Sequence, residues 1–108
     1  MRTIKLGNRE INIEGSAMTP YFYKKEFKQS FSGDLIKLQL LEIDNSLIDD
    51  INVLQMIWAM EKTSDTTKPM KGFETWLSEL GPINIINIIK DIAEVAADAV
   101  FHRSETSK

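Results

Sequence analysis

The sequence predicts a mainly α-helical domain with a short N-terminal β-hairpin, an α+β fold of about four to five helices. Two observations predict this class: apolar and polar residues alternate over residues 2–14, and apolar residues recur at helical spacing over most of the chain that follows. The chain has 108 residues, of which 43% are hydrophobic and 27% are charged, a balance typical of one globular domain with its own core. We expect that domain over residues 1–101, followed by a polar tail over residues 102–108.

The hairpin is predicted by alternation around a turn sequence. Isoleucine or leucine alternates with polar residues on both sides of Gly7-Asn8. Glycine and asparagine adopt the positive φ that tight hairpin turns require. Because an isolated hairpin is marginally stable in water, its apolar side must pack on the helices or on a partner. That side consists of Ile4, Leu6, Ile11 and Ile13.

The next segment predicts a helix with one aromatic side. Thr19-Pro20 is typical of a helix start, because threonine is a good N-cap residue and proline suits the first helical position. Tyr23, Phe27 and Phe31 follow at spacings of four residues and are expected to face the core. Interleaved aromatic and basic residues can also bind single-stranded nucleic acid or a protein, and both are kept as alternatives. The interleaved lysines, which are expected to face water, are Lys24, Lys25 and Lys28.

A second helix is expected after the break at Ser32-Gly33. Asp34 is suited to cap its first turn, and the helix is expected to continue to about Ile43. Ile36, Leu40 and Ile43 form the predicted core stripe of this helix. The letters IKLQL also alternate, so a β-strand is the alternative for those residues.

A third helix is predicted over about residues 47–62, and it is apolar on two sides. One stripe consists of Leu47, Ile51, Leu54 and Trp58. The other stripe consists of Val53, Met56, Ile57 and Met60. Such a helix either lies at the centre of its domain, which is the favoured interpretation, or presents one stripe to a partner.

The C-terminal part predicts a loop over residues 63–71 and two further helices. A short amphipathic helix is expected to end at Gly81-Pro82, with apolar positions Phe73, Trp76, Leu77 and Leu80. The last helix is expected over residues 83–101, with one apolar side and one polar side. The apolar side consists of Ile85, Ile88, Ile89, Ile92, Ala96 and Ala99, and the polar side of Asn84, Asn87, Asp91, Glu94 and Asp98.

Residue types that carry out catalysis are scarce in this chain. It has no cysteine and one histidine, His102, in the polar tail. Neither a Cys–His pair nor a zinc site with thiolate or several histidine ligands can be built from this set. The sequence has no G-x-S-x-G motif, no P-loop and no G-x-G-x-x-G motif. We therefore expect a non-enzymatic protein that uses no metal and no cofactor.

A group of carboxylates near the start of the third helix allows more than one interpretation. Their spacing lacks the glycine and the closing glutamate of an EF-hand calcium loop. Capping is favoured, because acidic residues stabilise a helix N-terminus, while a metal site and an acidic contact surface are the alternatives. The residues are Glu42, Asp44, Asp49 and Asp50.

Charge and hydropathy indicate where the protein is located in the cell and which classes of partner it can bind. The formal net charge of −3 argues against a dedicated nucleic-acid binder, which is usually basic. The first residues carry charges throughout and have no apolar stretch of the kind found in signal peptides. No apolar run approaches the ~20 residues of a membrane-spanning helix. We expect an intracellular, soluble protein that binds neither nucleic acid nor membranes.

Four stretches of the chain form a recognisable pattern: TIKLGNREINIE, TPYFYKKEFKQSFSGDLIK, LQMIWAMEK and FETWLSEL. Together they resemble the tail assembly chaperones of long-tailed phages and prophages of Gram-positive bacteria, over about residues 2–100. One departure is that Phe31-Ser32-Gly33-Asp34 stands where that family has a tighter Phe-Gly-basic-Asp turn. The matching positions are Thr19, Pro20, Tyr23, Phe27, Phe31, Asp34, Leu35, Trp58, Ala59, Met60, Phe73, Trp76 and Leu77.

The resemblance implies a non-enzymatic protein in the cytoplasm of the bacterial host. It would bind the tape measure protein while the tail tube polymerises, and its copies could form homo-oligomers. The candidate partner surface is the second stripe of the third helix, since methionine adapts to varied partners: Val53, Met56, Ile57 and Met60. If these side chains are buried within the monomer, they are core and the hypothesis fails. Other prophage protein-binding modules, such as head–tail adaptors and small regulators, are the alternative.

Overall fold

The hairpin and the helices follow one another in the predicted order. A computed structural model describes residues 2–41, 49–67 and 69–100, which form one hairpin and five α-helices. The strands are β1 (Arg2–Leu6) and β2 (Arg9–Ile13). The helices are α1 (Met18–Phe27), α2 (Phe31–Leu41), α3 (Asp50–Ser64), α4 (Phe73–Ser78) and α5 (Ile89–Val100), with a 3-10 turn at Ile86–Ile88. The predicted α+β class is confirmed.

The hairpin has the predicted turn and packs on the helices. Gly7 has a φ of +62°. Asn8 is not among the described residues with positive φ, so glycine occupies the first central position, as in a type II′ turn. The backbone N–H of Asn8 donates to the carbonyl of Leu80 at 2.9 Å, and that of Glu14 donates to the carbonyl of Met60 at 3.1 Å. The four apolar residues of the strands are all buried, which confirms that this side of the hairpin is core.

Helix α3 lies at the centre of the domain, between α1 and β2. The stripe considered as a partner surface is buried inside the monomer: Val53, Met56, Ile57 and Met60 are 0–1% exposed. These side chains are core, because helix and strand cover α3 on both sides, and by the criterion set from the sequence the partner hypothesis for this stripe fails. In the other stripe Leu54 and Trp58 are buried, Ile51 is half exposed, and Leu47 lies outside the described residues.

Helix α1 begins at Met18, so the prediction that Thr19 is its N-cap is wrong. The hydroxyl of Ser16 accepts a hydrogen bond from the N–H of Met18 at 3.1 Å. Thr19 is buried inside the first turn, where its hydroxyl lies 2.7 Å from that of Thr63 on α3. Pro20 is compatible with this earlier start, because the first N–H groups of a helix have no intrahelical partner to lose.

Helix α2 also begins earlier than predicted, at Phe31, and it is a helix rather than a strand over the IKLQL letters. The predicted core stripe is wrong: Ile36 is 59% exposed and Leu40 is 50% exposed. Leu35 and Leu38 are buried instead, so the helix is rotated relative to the expected phase. The predicted end at Ile43 lies outside the described residues.

The last helix begins at Ile89, later than the predicted residue 83. The intervening sequence Pro82-Ile83-Asn84-Ile85 consists of proline, asparagine and β-branched residues, all weak helix formers. The predicted apolar side is nonetheless correct for α5 and the turn before it. Its buried members are Ile85, Ile88, Ile89, Ile92 and Ala96, and Ala99 is partly buried.

Candidate functional site

The aromatic positions that carry the family resemblance converge on one cluster. Tyr23 lies 5.3 Å from Phe27 and 5.2 Å from Phe31, measured between ring centroids. Phe27 lies 5.5 Å from Trp58 and 5.0 Å from Phe73, both edge to face. Edge-to-face pairs stabilise a core beyond the apolar area they bury. This cluster therefore fixes α1, α2, α3 and α4 relative to one another.

A polar network closes one end of the cluster. The hydroxyl of Tyr23 donates to Oδ2 of Asp34 at 2.6 Å, and Nδ2 of Asn52 donates to the same oxygen at 3.0 Å. Nδ2 of Asn52 also lies 2.8 Å from the Tyr23 hydroxyl oxygen. Burial, the hydrogen bond to Asp34 and the charge of that carboxylate raise the pKa of Tyr23 well above its ordinary value. Tyr23 is thus a constant donor that satisfies a buried acid, a structural role.

A second buried acid, Glu61 on α3, is satisfied in the same way. Nε1 of Trp76 donates to its Oε1 at 2.7 Å, and NH2 of Arg9 lies 3.9 Å from its Oε2. The residue is 3% exposed, so these partners meet the requirement that a buried carboxylate be hydrogen-bonded and paired. The contact ties the hairpin and α4 to the central helix.

The surface of α1 opposite the core carries exposed apolar residues. Met18 and Tyr21 are 42% and 55% exposed, and Phe22 is partly buried. With Lys25 they occupy positions i, i+3, i+4 and i+7, which is one side of a helix. We call these four residues the α1 outer stripe. Nζ of Lys25 lies 5.8 Å from the ring centroid of Tyr21, and Nζ of Lys62 lies 5.6 Å from that of Phe22.

The lysines around the outer stripe have few acidic neighbours. Within the described ranges, neither Lys24 nor Lys25 nor Lys28 forms an ion pair with a carboxylate. Nζ of Lys28 donates to the carbonyl of Lys25 at 3.1 Å, and Glu26 is the acidic residue of α1. Residues 18–28 therefore carry three lysines and one acidic residue, although the whole chain carries a net charge of −3.

Two further surface features lie elsewhere. A groove of about 630 Å³ runs between Thr3 to Gly7 on the β1 side and residues 82–91. On α2, Ile36 and Leu40 form an exposed apolar pair, next to residues that the structure does not describe. On α2 the neighbouring Lys37 pairs with Asp34 at 3.5 Å, whereas Lys25 of the outer stripe forms no ion pair with a carboxylate of the described residues.

The acidic residues singled out from the sequence include one confirmed cap. Asp49 precedes α3, and its Oδ1 accepts from the N–H of Asn52 at 3.2 Å. Glu42, Asp44 and His102 lie outside the described residues. Among the residues that the structure does describe, no three acidic, histidine or cysteine side chains are grouped so that they could hold a metal ion.

The outer stripe was missed as a candidate, although its spacing can be read from the sequence. The sequence predicts that Tyr23 and Phe27 face the core and leaves a protein contact open for the segment, but it does not single out Met18, Tyr21 and Phe22 as the exposed side. None of the helices in the described part of the chain is long and apolar enough to cross a bilayer. Comparisons of the chain with protein-family models, curated proteins and solved structures give no match, and the resemblance to tail assembly chaperones stays a prediction.

Proposed function

We propose that this protein is a non-enzymatic tail assembly chaperone, which binds the tape measure protein of a phage or prophage in the host cytoplasm. One observation carries the proposal. Positions that resemble the chaperone family, from Tyr23 to Trp76, are far apart in sequence yet meet in a single cluster that orients four helices. Such a cluster holds the helices in fixed positions, so that their outer sides can serve as contact surfaces.

A chaperone for a long helical protein needs accessible apolar surface. Burying such surface contributes about 25 cal/mol per Å², and an amphipathic helix is usually bound through its apolar side. The buried stripe of α3 cannot contact a partner unless the domain opens. Exposed residues of α1 and α2, such as Tyr21, Ile36 and Leu40, provide apolar area at the surface.

The test is co-expression with the partner that the proposal names. In a phage or prophage genome, the tape measure protein is the very long, coiled-coil-rich product encoded immediately downstream. Expressed alone, it should be largely insoluble, because its apolar helix sides are unpaired. Expressed with this protein carrying an affinity tag, it should become soluble and co-purify. An unrelated tagged helical protein expressed at the same level is the control.

Failure to solubilise or co-purify the downstream protein would contradict the proposal. Salt-dependent binding to double-stranded DNA would instead favour a small regulator, because salt dependence reports phosphate contacts. Co-purification with a protein of the head–tail junction would favour an adaptor.

A further inference from the structure

Helix α1 carries aromatic residues on two sides, and the monomer completely buries the side that carries Tyr23. Thr19 and Tyr23 are 0% exposed, whereas Met18 and Tyr21 on the other side are 42% and 55% exposed. A lone exposed apolar residue is common in soluble proteins. Here the exposed residues recur at helical spacing along the same side of α1, beside Phe22, which is partly buried against the core. Exposed apolar residues at this spacing are the arrangement of a helix that packs against another helix.

The charges beside the outer stripe indicate which kind of helix would pack there. Lys25 lies within the stripe and Lys24 lies at its margin. Neither lysine is paired with a carboxylate of the described residues. The ammonium of Lys25 is held 5.8 Å from the Tyr21 ring, so it is already positioned at the surface where a partner would arrive. Acidic side chains on that partner would complement these charges and set its orientation.

We propose that the α1 outer stripe docks an amphipathic helix whose apolar side is flanked by aspartate or glutamate. Met18, Tyr21 and Phe22 would contact the apolar side, and Lys24 and Lys25 would pair with the acidic margin. The inference rests on the proposed function in one respect: the helix would belong to the tape measure protein. It goes beyond that function by assigning the surface and the chemistry of the bound segment.

Nucleic acid fits the same surface less well. Interleaved aromatic and basic residues can stack on bases and contact phosphates. However, α1 contains no arginine, and the chain as a whole is acidic, with a net charge of −3. A protein partner is therefore the occupant that the charges favour.

Binding of a defined peptide tests the surface directly. The probe is a synthetic helical peptide of about 20 residues with leucine at i, i+3, i+4 and i+7 positions and glutamate on both flanks. Titrated into the ¹⁵N-labelled 108-residue chain, it should shift the amide signals of Met18, Thr19 and residues 21–25. Replacing glutamate by lysine in the peptide, or scrambling its leucines, should abolish the shifts.

Two double variants of the protein provide a matched comparison. Tyr21→Ser with Lys25→Glu should weaken peptide binding by about tenfold or more, because aromatic anchors dominate helix docking. Ile86→Ser with Lys90→Glu alters an exposed isoleucine and a lysine with the same spacing on another element, and it should change binding by less than about twofold. Thermal unfolding of both variants confirms that the fold is intact. Equal binding by the two variants would overturn the proposal, as would shifts centred on Ile36 and Leu40.

The same variants separate this inference from the proposed function. If the tape measure protein co-purifies equally well with wild type and with the Tyr21→Ser, Lys25→Glu variant, the docking surface is wrong and the chaperone function stands. If the peptide binds at the outer stripe but the tape measure protein is never captured, the surface stands and the chaperone function fails. Tighter binding of a single-stranded oligothymidine than of the acidic peptide would overturn the protein-docking proposal.

Discussion

Tyr21 and Tyr23 lie two residues apart on the same helix and have opposite environments. Tyr23 is completely buried, with its ring against Phe27 and Phe31 and its hydroxyl on Asp34. Tyr21 is 55% exposed, and its ring lies beside Phe22 and below the ammonium of Lys25. Two residues correspond to about 200° around a helix, so the two rings point to nearly opposite sides.

The comparison shows that residue type does not distinguish core from contact surface on this helix. Both sides of α1 contain aromatic rings, and lysines lie between them. What differs is the environment of the hydroxyl: Tyr23 has a buried acceptor in Asp34, whereas the Tyr21 side offers exposed area and positive charge. We infer that the inner side supplies stability and the outer side supplies binding.

The largest expected effect is the difference in stability between alanine variants of the two tyrosines. Tyr23→Ala should lower the free energy of unfolding by about 3–5 kcal/mol, since it leaves a large cavity among packed rings and removes the shorter of the two hydrogen bonds that Asp34 accepts from Tyr23 and Asn52. Tyr21→Ala should change it by less than about 0.5 kcal/mol, because its ring lies at the surface. Urea denaturation followed by circular dichroism measures both. Equal losses would contradict the assignment of inner and outer sides.

Removing the hydroxyl groups alone makes the comparison sharper. Tyr23→Phe preserves the ring but deprives Asp34 of its hydrogen bond at 2.6 Å, and a buried acceptor left short of a donor costs about 1–3 kcal/mol. Tyr21→Phe, the matched control on the outer side, should be neutral within about 0.5 kcal/mol. A neutral Tyr23→Phe variant in chemical denaturation would show that the polar network does not stabilise the fold.

High pH should destabilise the protein through the inner tyrosine. The pKa of Tyr23 is raised in the folded state by burial and by Asp34, whereas an unfolded tyrosine ionises near pH ~10. The folded state therefore retains a proton that the unfolded state loses. Stability from this group is complete below pH ~10 and falls above it, by up to about 1.4 kcal/mol per pH unit.

The pH effect has its own control. In the Tyr23→Phe variant, the loss of stability at high pH that comes from Tyr23 ionisation should disappear. The Tyr21→Phe variant should lose stability at high pH as the wild type does. Urea midpoints measured between pH 9 and 11.5 provide the comparison. Identical alkaline slopes for wild type and Tyr23→Phe would contradict the inference that the hydroxyl remains protonated.

The smallest expected effect is an increase in stability from a substitution at the C-terminal end of α1. Lys28 has a φ of +60°, the left-handed conformation in which a side chain is strained and glycine is not. Lys28→Gly should raise the free energy of unfolding by about 0.5–1 kcal/mol, less the contribution of the bond from Nζ to the carbonyl of Lys25. Thermal unfolding measures it. Lower stability in this variant would indicate that this hydrogen bond outweighs the strain.

Predictions are correct where the spacing of apolar residues fits one secondary structure only. The hairpin follows from alternation and from Gly7-Asn8, both readable within a few residues. The core positions Tyr23 and Phe27 follow from their helical spacing. Capping at Asp49 follows from an acidic residue near a helix N-terminus, because capping is a local interaction. The start of this helix is predicted at about residue 47, whereas α3 begins at Asp50.

The wrong predictions share a physical cause: the deciding contacts are distant in sequence. Between Leu35 and Leu41, all residues except Lys37 and Gln39 are apolar. The spacing of apolar residues therefore does not indicate which side of α2 faces the core. Asp34 is predicted to cap α2, but it lies inside that helix and instead accepts a hydrogen bond from Tyr23 of α1, eleven residues away. For α3 the favoured interpretation, a helix at the centre of its domain, is correct, because α1 and β2 pack on it; the alternative of a stripe that faces a partner is wrong.

The outer stripe could not be distinguished from core by the same reasoning. Its spacing is as regular as that of the inner side, and exposure is decided by which side of α1 meets α3. A signal existed in the lysine at i+7, because Lys25 would be costly to bury without a partner.

The most direct test of the central claim is site-specific crosslinking in cells that co-express the tape measure protein. A photocrosslinking amino acid is introduced in place of Tyr21, Ile36 or Ile86, three residues that are 54–59% exposed. We expect a crosslink to the tape measure protein from position 21 and little or none from positions 36 and 86. Crosslinks from position 36 or 86 without one from position 21 would contradict it.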